Sequence, residues 1–288
     1  MLKFRIVDVI IKFEFPFNYH SFPSIFTKFF DRTYLRKEKS FTIEILPFEE
    51  FNHLDFVSDL FNADGYWQIY NMGKDFLIID GLNTYNGKLV RICEFKKDKA
   101  CLYFNKICPI EHRNPLTYPI GPVLLVNLIS ENSGFFMHAS SIKVGKGCYV
   151  FIGPSGSGKS TIVKLFKQYN KKAVILNDDR IAVRKKKKVA FIYGLPWYTE
   201  KEFISNERGR LIGAFFIKPA KENQIKKLSE TQIIYKKILP HIFFPVWSRN
   251  KLWQTLELVE WISKKIDFYE LNFVPDRSVI ELIESLTL

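Results

Sequence analysis

The 288-residue sequence has only four cysteines and lacks any apolar run of the length that a membrane span requires, about 18 residues. The cysteines, at positions 93, 101, 108 and 148, fit neither a metal-binding pair nor a catalytic signature. We therefore expect free thiols in a reducing, cytoplasmic compartment. The first residues alternate charged and apolar side chains and do not resemble a signal peptide. No membrane partner is expected.

Acidic residues are few relative to basic ones. The 30 Asp and Glu residues against 43 Lys and Arg give a formal net charge of +13. The densest basic run, residues 185–188, lies between two β-like segments and is typical of a solvated hairpin tip. No nucleic-acid-binding motif accompanies this charge, so we do not expect a nucleic-acid partner.

The sequence pattern divides the chain near Leu116. Before this point, segments that alternate polar and apolar residues are separated by turn signals, which predicts a mostly antiparallel β module. Three prolines between residues 109 and 119 indicate a linker, and a helix is predicted over residues 122–129. We predict a β-rich α+β domain over residues 1–116 and an α/β domain over residues 117–288.

One stretch of the second domain fits a phosphate-binding motif. Residues 149–152 form an apolar strand-like run, residues 153–160 match G-x-x-x-x-G-K-[ST], and a helical pattern follows. In such a glycine-rich loop, backbone amides and the helix N-terminus hold phosphate oxygens. Lys159 is expected to reach the β- and γ-phosphates, and Ser160 to hold Mg²⁺. The predicted nucleotide-binding residues are Gly153, Pro154, Ser155, Gly156, Ser157, Gly158, Lys159, Ser160 and Thr161.

Two carboxylates, Asp178 and Asp179, follow the next predicted strand, and Asp178 is only 19 residues beyond Lys159. Small kinases place an acidic residue at this point, whereas the large ATPase families place theirs much further downstream. His138 lies on the strand that turns directly into the strand before the loop. Phosphoryl transfer to a hydroxyl needs a phosphate cradle, Mg²⁺ and a carboxylate near the acceptor, and this segment supplies candidates for all three.

His138, the glycine-rich loop and the Asp178-Asp179 pair, in this order and at these intervals, resemble the HPr kinase/phosphorylase family. The Gly-Leu-Pro-Trp segment at residues 194–197 also resembles it. The resemblance covers about residues 120–288. The chain resembles the smaller HPr-kinase-related kinases more closely than the HPr kinases themselves. It implies a P-loop kinase domain of the HPr kinase and PEP carboxykinase type, with ATP and Mg²⁺ as cofactors.

The same resemblance implies roles for three side chains. Asp179 would accept the proton of the acceptor hydroxyl, and His138 would orient Asp179 or contact the γ-phosphate. Asp178 would support Asp179 or bind the metal, with capping of the following turn as the alternative. Residues 1–116 do not match the N-terminal domain of HPr kinases. The Glu-Ile-Arg-Gly signature of HPr kinases has only a faint counterpart at residues 206–209, and no segment matches the one used for dephosphorylation, so phosphorylase activity and HPr as the substrate are not implied.

Two further residues are assigned from their positions. Glu200, after Pro196 and Trp197, is predicted to be a second magnesium ligand, with Glu207 as the alternative. Arg249 is predicted to stabilise transferred charge, with a surface cap at the start of a helix as the alternative.

The sequence therefore predicts an ATP- and Mg²⁺-dependent kinase that phosphorylates a hydroxyl of a peptide, a protein or a small metabolite. Two alternatives stay open. A shikimate- or nucleotide-kinase-like enzyme would also carry an acidic residue about 20 residues beyond its loop, but would not need His138. A nucleotide-dependent regulatory module would bind without transfer. The expected partners are a nucleotide and the acceptor, and homo-oligomerisation is left open.

Overall fold

The structure is a computed structural model that describes residues 2–14, 24–31, 40–50, 58–63, 66–72, 75–79, 84–85, 88–89, 91–105, 114, 116–131, 133–197 and 202–286. These residues form a mixed α/β structure with two large sheets and five α-helices. The chain divides into two compact units, residues 1–128 with 245–249 and residues 129–244 with 250–288. The domain limits at residues 116 and 117 stay a prediction.

The first unit contains an eight-stranded sheet and a separate two-stranded hairpin. The strands are β1 Leu2–Ile6, β2 Val9–Glu14, β3 Ser40–Pro47, β4 Ser58–Asn62, β5 Gln68–Met72, β6 Asp75–Ile79, β7 Thr84–Tyr85, β8 Lys88–Leu89, β9 Arg91–Phe95 and β10 Lys99–Phe104. Their order in the large sheet is β1-β2-β3-β10-β9-β6-β5-β4, and every pairing is antiparallel except β2–β3 and β3–β10. The predicted mostly antiparallel module is thus confirmed among these strands.

The sequence did not predict β1. The polar–apolar alternation predicts one strand from Val7 onward, but Val7 and Asp8 both adopt positive φ and form the turn between β1 and β2. Non-glycine residues with positive φ are uncommon, so the pattern carried no signal for this turn. The sequence of residues 22–34 has helix-like spacing, which predicts a helix there. In the part of this segment that the structure describes, a 3₁₀ helix spans Ser24–Phe29.

The second unit contains most of the helical structure. Its elements, with the two helices that span the division between the units, are α1 Ile120–Ser130, β11 Gly134–Val144, β12 Gly147–Ile152, α2 Lys159–Tyr169, β13 Val174–Asn177, β14 Arg180–Lys186, β15 Val189–Gly194, β16 Arg208–Pro219, β17 Gln224–Leu228, α3 Thr231–Ile238, β18 Ile242–Phe243, α4 Arg249–Lys265, β19 Phe268–Phe273 and α5 Arg277–Ser285. The predicted lysine-rich hairpin is β14 and β15, and α3 was not predicted.

The sheet of the second unit closes on itself. Its order is β12-β11-β14-β15-β16-β19-β17, and β12 also pairs in parallel with β16, so β12, β11, β14, β15 and β16 form a ring. β11 and β12 are adjacent and antiparallel. β11 additionally pairs with β13 and β18.

Two apolar cores hold this sheet between pairs of helices. The side chains inside the ring, such as Met137, Val150 and Ile152, pack with apolar residues of α3 and α4. On the other face, α2 and α5 cover an aromatic group that includes Phe151, Phe166 and Phe215. Because alternate residues of β12 enter opposite cores, the strand is buried along its whole length. This burial fixes the point at which the chain leaves β12 and enters the glycine-rich loop.

Two sequence expectations concern thiols and membranes. Cys93, Cys101 and Cys148 are free and buried, and burial raises the pKa of the Cys148 thiol to about 12. Cys108 lies outside the described residues. In the part of the chain that the structure describes, no helix is long and apolar enough to cross a membrane.

Removal of the central aromatic ring should strongly destabilise the second unit. Phe215 is fully buried and stacks on Phe151 and Tyr269, with ring centroids 5.5 and 5.2 Å away. Phe215→Ala should lower the free energy of unfolding by about 3–5 kcal/mol, as measured by urea denaturation. Trp253→Ala, which removes a side chain that is 56% exposed on α4, is the control and should cost less than about 1 kcal/mol. Similar losses for both variants would contradict this description of the core.

Candidate active site

The glycine-rich loop leaves β12 and ends in the first turn of α2. Gly158 precedes the helix with φ 91°, and Gly156 has φ 77°, both in the left-handed region that favours glycine. A Cβ atom at Gly158 would lie 2.6 Å from the ring of Phe273, whereas one at Gly156 would meet no atom within 4 Å. Gly158 therefore allows the loop to lie directly against the end of β19.

The start of α2 presents hydrogen-bond donors that no side chain caps. Gly158 makes no side-chain capping bond, and the first turn has no acidic residue. The first amides of a helix lack intrahelical partners and carry the positive end of the helix dipole. Ser157 is 6% exposed, and its hydroxyl has no hydrogen-bond partner among the described residues. This end of the loop is suited to an anion.

Lys159 is held against the backbone of its own loop. The side chain is 8% exposed, and Nζ donates hydrogen bonds to the carbonyl oxygens of Gly153, at 2.8 Å, and Pro154, at 3.0 Å. Burial lowers the pKa of Lys159, and the negative charge of Asp179 acts in the opposite direction. The ammonium group therefore lies within electrostatic reach of the predicted carboxylate.

Asp179 lies between His138 and Arg180. Its Oδ1 is 3.2 Å from His138 Nε2, and its Oδ2 is 3.0 Å from Arg180 Nε. The pairing of β11 with β14 explains this contact, because His138 is directly opposite Arg180. The hydrogen bond from His138 lowers the pKa of Asp179; burial opposes this shift, and the charges of Arg180, His138 and Lys159 add to it. Asp179 is therefore ionised at neutral pH.

Asn177, which sequence reasoning missed, organises the turn that carries both aspartates. Its Oδ1 accepts hydrogen bonds from the amides of Asp179, at 2.8 Å, and Arg180, at 2.9 Å. Its Nδ2 donates to the carbonyl oxygens of Leu195, at 3.0 Å, and Trp197, at 2.7 Å. Asparagine before a turn is a known signal for such bonding, but the partners at residues 195 and 197 have no local signal. One buried side chain thus joins the acidic turn, Asp178 and Asp179, to the Gly-Leu-Pro-Trp segment.

Asp178 is 2% exposed, and its backbone carbonyl accepts a hydrogen bond from Ser140 Oγ at 2.7 Å. Among the described residues, no three His, Cys, Asp or Glu side chains lie together in a way that could hold a metal ion. Magnesium in nucleotide sites is usually held by one or two protein ligands and by the phosphates, so a cluster of three is not required. Ser160 lies in the first turn of α2, and its role and that of Asp178 as magnesium ligands stay predictions.

The two residues that were assigned from their positions, Glu200 and Arg249, have no described contact with this site. Glu200 lies outside the described residues, and its alternative, Glu207, forms an ion pair with Lys143 at 2.5 Å. Arg249 is the exposed first residue of α4 and belongs to the first compact unit, so its role stays a prediction. Pro154, Ser155 and Thr161 are exposed along the loop and the start of α2, as are the backbone atoms of Gly156.

Comparison with known proteins gives little further information. No family model matches the chain, and no curated protein matches it in sequence. Among solved structures, the Hpr(Ser) kinase/phosphatase from Coxiella burnetii is similar over 52% of this chain and 92% of that chain, with 14% sequence identity and a TM-score of 0.28. A likeness of this size is not evidence for a shared fold or activity.

Substitution of Gly156 and Gly158 by alanine should show how much stability is lost through backbone strain and how much through steric conflict with a neighbouring side chain. Gly156→Ala should cost about 1–3 kcal/mol, because only the left-handed conformation opposes the new Cβ. Gly158→Ala should cost more, because the Phe273 ring must also move. Urea denaturation of both variants measures the difference. Equal losses would mean that Phe273 yields without cost, and Gly158→Ala combined with Phe273→Leu should recover part of the loss.

Loss of the Asn177 side chain should weaken the acidic turn. Asn177→Ala removes four hydrogen bonds to buried or half-buried backbone groups and should destabilise the protein by about 3 kcal/mol. Asn272→Ala is the control, because that side chain makes a single exposed hydrogen bond of 3.4 Å to Gln224. Hydrogen exchange of the Asp179 and Arg180 amides should accelerate in Asn177→Ala alone. Unchanged exchange would show that the turn does not depend on Asn177.

Proposed function

We propose that this protein is a kinase that transfers the terminal phosphoryl group of Mg-ATP to a hydroxyl group. The observation that carries the proposal is the convergence of Lys159, His138 and Asp179 beside a loop that fits G-x-x-x-x-G-K-[ST]. A cation for the transferred phosphate and a carboxylate for the acceptor are the charges that this reaction needs. Both come from elements that follow one another along the chain.

The phosphates would bind where the loop presents its donors. The uncapped amides at the start of α2 and the buried Ser157 hydroxyl would donate to phosphate oxygens. Lys159 would exchange its bonds to the carbonyl oxygens of Gly153 and Pro154 for bonds to the β- and γ-phosphates. Ser160 and Asp178 would hold Mg²⁺, which neutralises part of the charge on the phosphates when bound.

Asp179 would receive the hydroxyl of the acceptor. Its lowered pKa makes it a weak proton acceptor but a stable anion, and an anion can align a hydroxyl through a short hydrogen bond. Phosphoryl transfer depends mainly on positioning and electrostatic stabilisation, so alignment is the larger part of the task. His138 and Arg180 would fix the direction of the two carboxylate oxygens.

The antiparallel arrangement of β11 and β12 favours this mechanism over that of a shikimate- or nucleotide-kinase-like enzyme. β11 lies beside the strand that precedes the loop and carries His138 to Asp179. A kinase of the alternative kind would not need a histidine on such a strand. The proposed acceptor is a serine of a peptide or protein, or a hydroxyl of a small metabolite.

Replacement of Asp179 tests transfer separately from binding. Asp179→Asn keeps the size of the side chain but removes its charge, so kcat should fall by about 10²-fold or more while the Kd of Mg-ATP changes little. Lys159→Ala should lower kcat and also raise the Kd of Mg-ATP. Asp267→Asn, which removes a carboxylate paired with Lys227, is the control and should leave both unchanged. Slow hydrolysis of ATP serves as the assay before an acceptor is known. Wild-type kcat in Asp179→Asn would exclude this mechanism.

A further inference from the structure

His241 lies next to the candidate site although nothing in the local sequence marks it. It is the last residue of a 3₁₀ helix, Leu239–His241, and β18 begins at the next residue. β18 pairs antiparallel with β11, and the last pair is Met137 with Ile242. The next position on each strand is His138 and His241. The backbone of His241 therefore comes beside that of His138.

The two histidines lie within electrostatic reach of each other. Met137 and Ile242 both lie in the core inside the ring. Because successive side chains of a strand point to opposite faces, His138 points away from that core. His241 lies just before β18, and the charges of His138 and Lys159 act on its imidazole, so this side chain lies within electrostatic reach of both. His138 follows this rule, since it reaches Asp179. Phe243 and Arg180 also lie on this face, with the guanidinium carbon 5.5 Å from the ring centroid.

The cationic groups around His241 prepare it for an anion. The side chain is half-buried, and burial lowers its pKa, with further lowering by the charges of His138 and Lys159. The nearby negative charge of Asp179 is engaged elsewhere, because His138 and Arg180 contact its two oxygens. A phosphate between Lys159 and the histidines would remove the repulsion that disfavours the imidazolium form.

We propose that His241 is a phosphate-binding residue, which contacts the terminal phosphate of the bound nucleotide together with Lys159 and His138. The identity of the nucleotide rests on the proposed function, whereas the contact itself requires only a polyphosphate anion. On binding, the His241 imidazole takes up a proton from the solvent and then donates an N–H bond to a phosphate oxygen. Affinity should therefore be highest below the pKa of the free His241, decrease as pH rises from that pKa to the higher pKa of the bound state, and level off above it; each unit between the two pKa values is worth about tenfold in affinity.

The test is isothermal titration calorimetry with tripolyphosphate and with Mg-ATP at pH 6 and pH 8, in buffers of different ionisation enthalpy. The wild-type protein should take up protons on binding and should bind more tightly at pH 6. His241→Gln keeps a donor but cannot take the charge, so it should bind about tenfold more weakly at pH 6 and take up fewer protons. Lys188→Gln is the control, because it removes one exposed cation in the turn between β14 and β15 and should behave as wild type.

The titration of the His241 ring in the wild-type NMR spectrum is a second measurement that does not depend on a stable variant. Tripolyphosphate should raise its pKa, and an unchanged pKa would overturn the proposal. The proposal would also be overturned if His241→Gln kept wild-type affinity and proton uptake while Lys159→Ala no longer bound the probes. In that case the kinase assignment would still stand. Proton uptake through His241 without any transfer would support this contact and overturn the kinase assignment. Failure of the wild-type protein to bind either probe would overturn both.

Discussion

The two edges of β11 decide where the candidate site forms. On one edge, β12 pairs from Val144 to Ala139 and β18 takes over at Met137. On the other edge, β13 pairs with residues 141–143 and β14 with residues 134–138. Both edges thus change partner at the same place. The glycine-rich loop leaves one edge where the acidic turn contacts the other, through the Ala139 amide and the Ser140 hydroxyl. The loop and the acidic turn are therefore separated by two strand spacings, about 10 Å. This distance would leave room for the terminal phosphates and an acceptor between them.

The charges at this place are arranged around the carboxylate of Asp179. Lys159, Arg180 and His138 each lower the pKa of Asp179, and Asp179 in turn opposes the effect of burial on the pKa of Lys159. Neither group depends on this pair alone, because Lys159 is also held by two loop carbonyls and Asp179 by two side chains. The carboxylate is therefore held in place without a ligand, which reduces the reorganisation that transfer requires, whereas Lys159 would have to exchange its two loop bonds when a phosphate binds.

Local pattern was sufficient to predict the loop, the helix that follows it and the hairpin with the lysine-rich tip, since the signals for these elements lie within a few residues. Asn177 and His241 were missed for a common physical reason. The bonds of Asn177 reach residues 195 and 197, and His241 is placed by a strand of only two residues, which carries no period. The contact between His138 and Asp179 was predicted through a family resemblance and the order of residues. Composition and spacing alone do not specify the strand pairing that produces it.

The low pKa values of Asp179 and His241 assign different tasks to two neighbouring groups. Asp179 stays an anion because His138 and Arg180 hold it, so it can align a hydroxyl but also repels a phosphate that comes too close. His241 stays neutral among cations and gains its charge only when an anion arrives. His138 is bonded to the first and lies opposite the second, one position beyond the pair of Met137 and Ile242. Binding of a phosphate would therefore add positive charge on the His241 side of His138, and this charge would draw the transferred group away from Asp179. Under the proposed function, the acceptor and the phosphate would thus be kept on separate sides of one histidine until transfer.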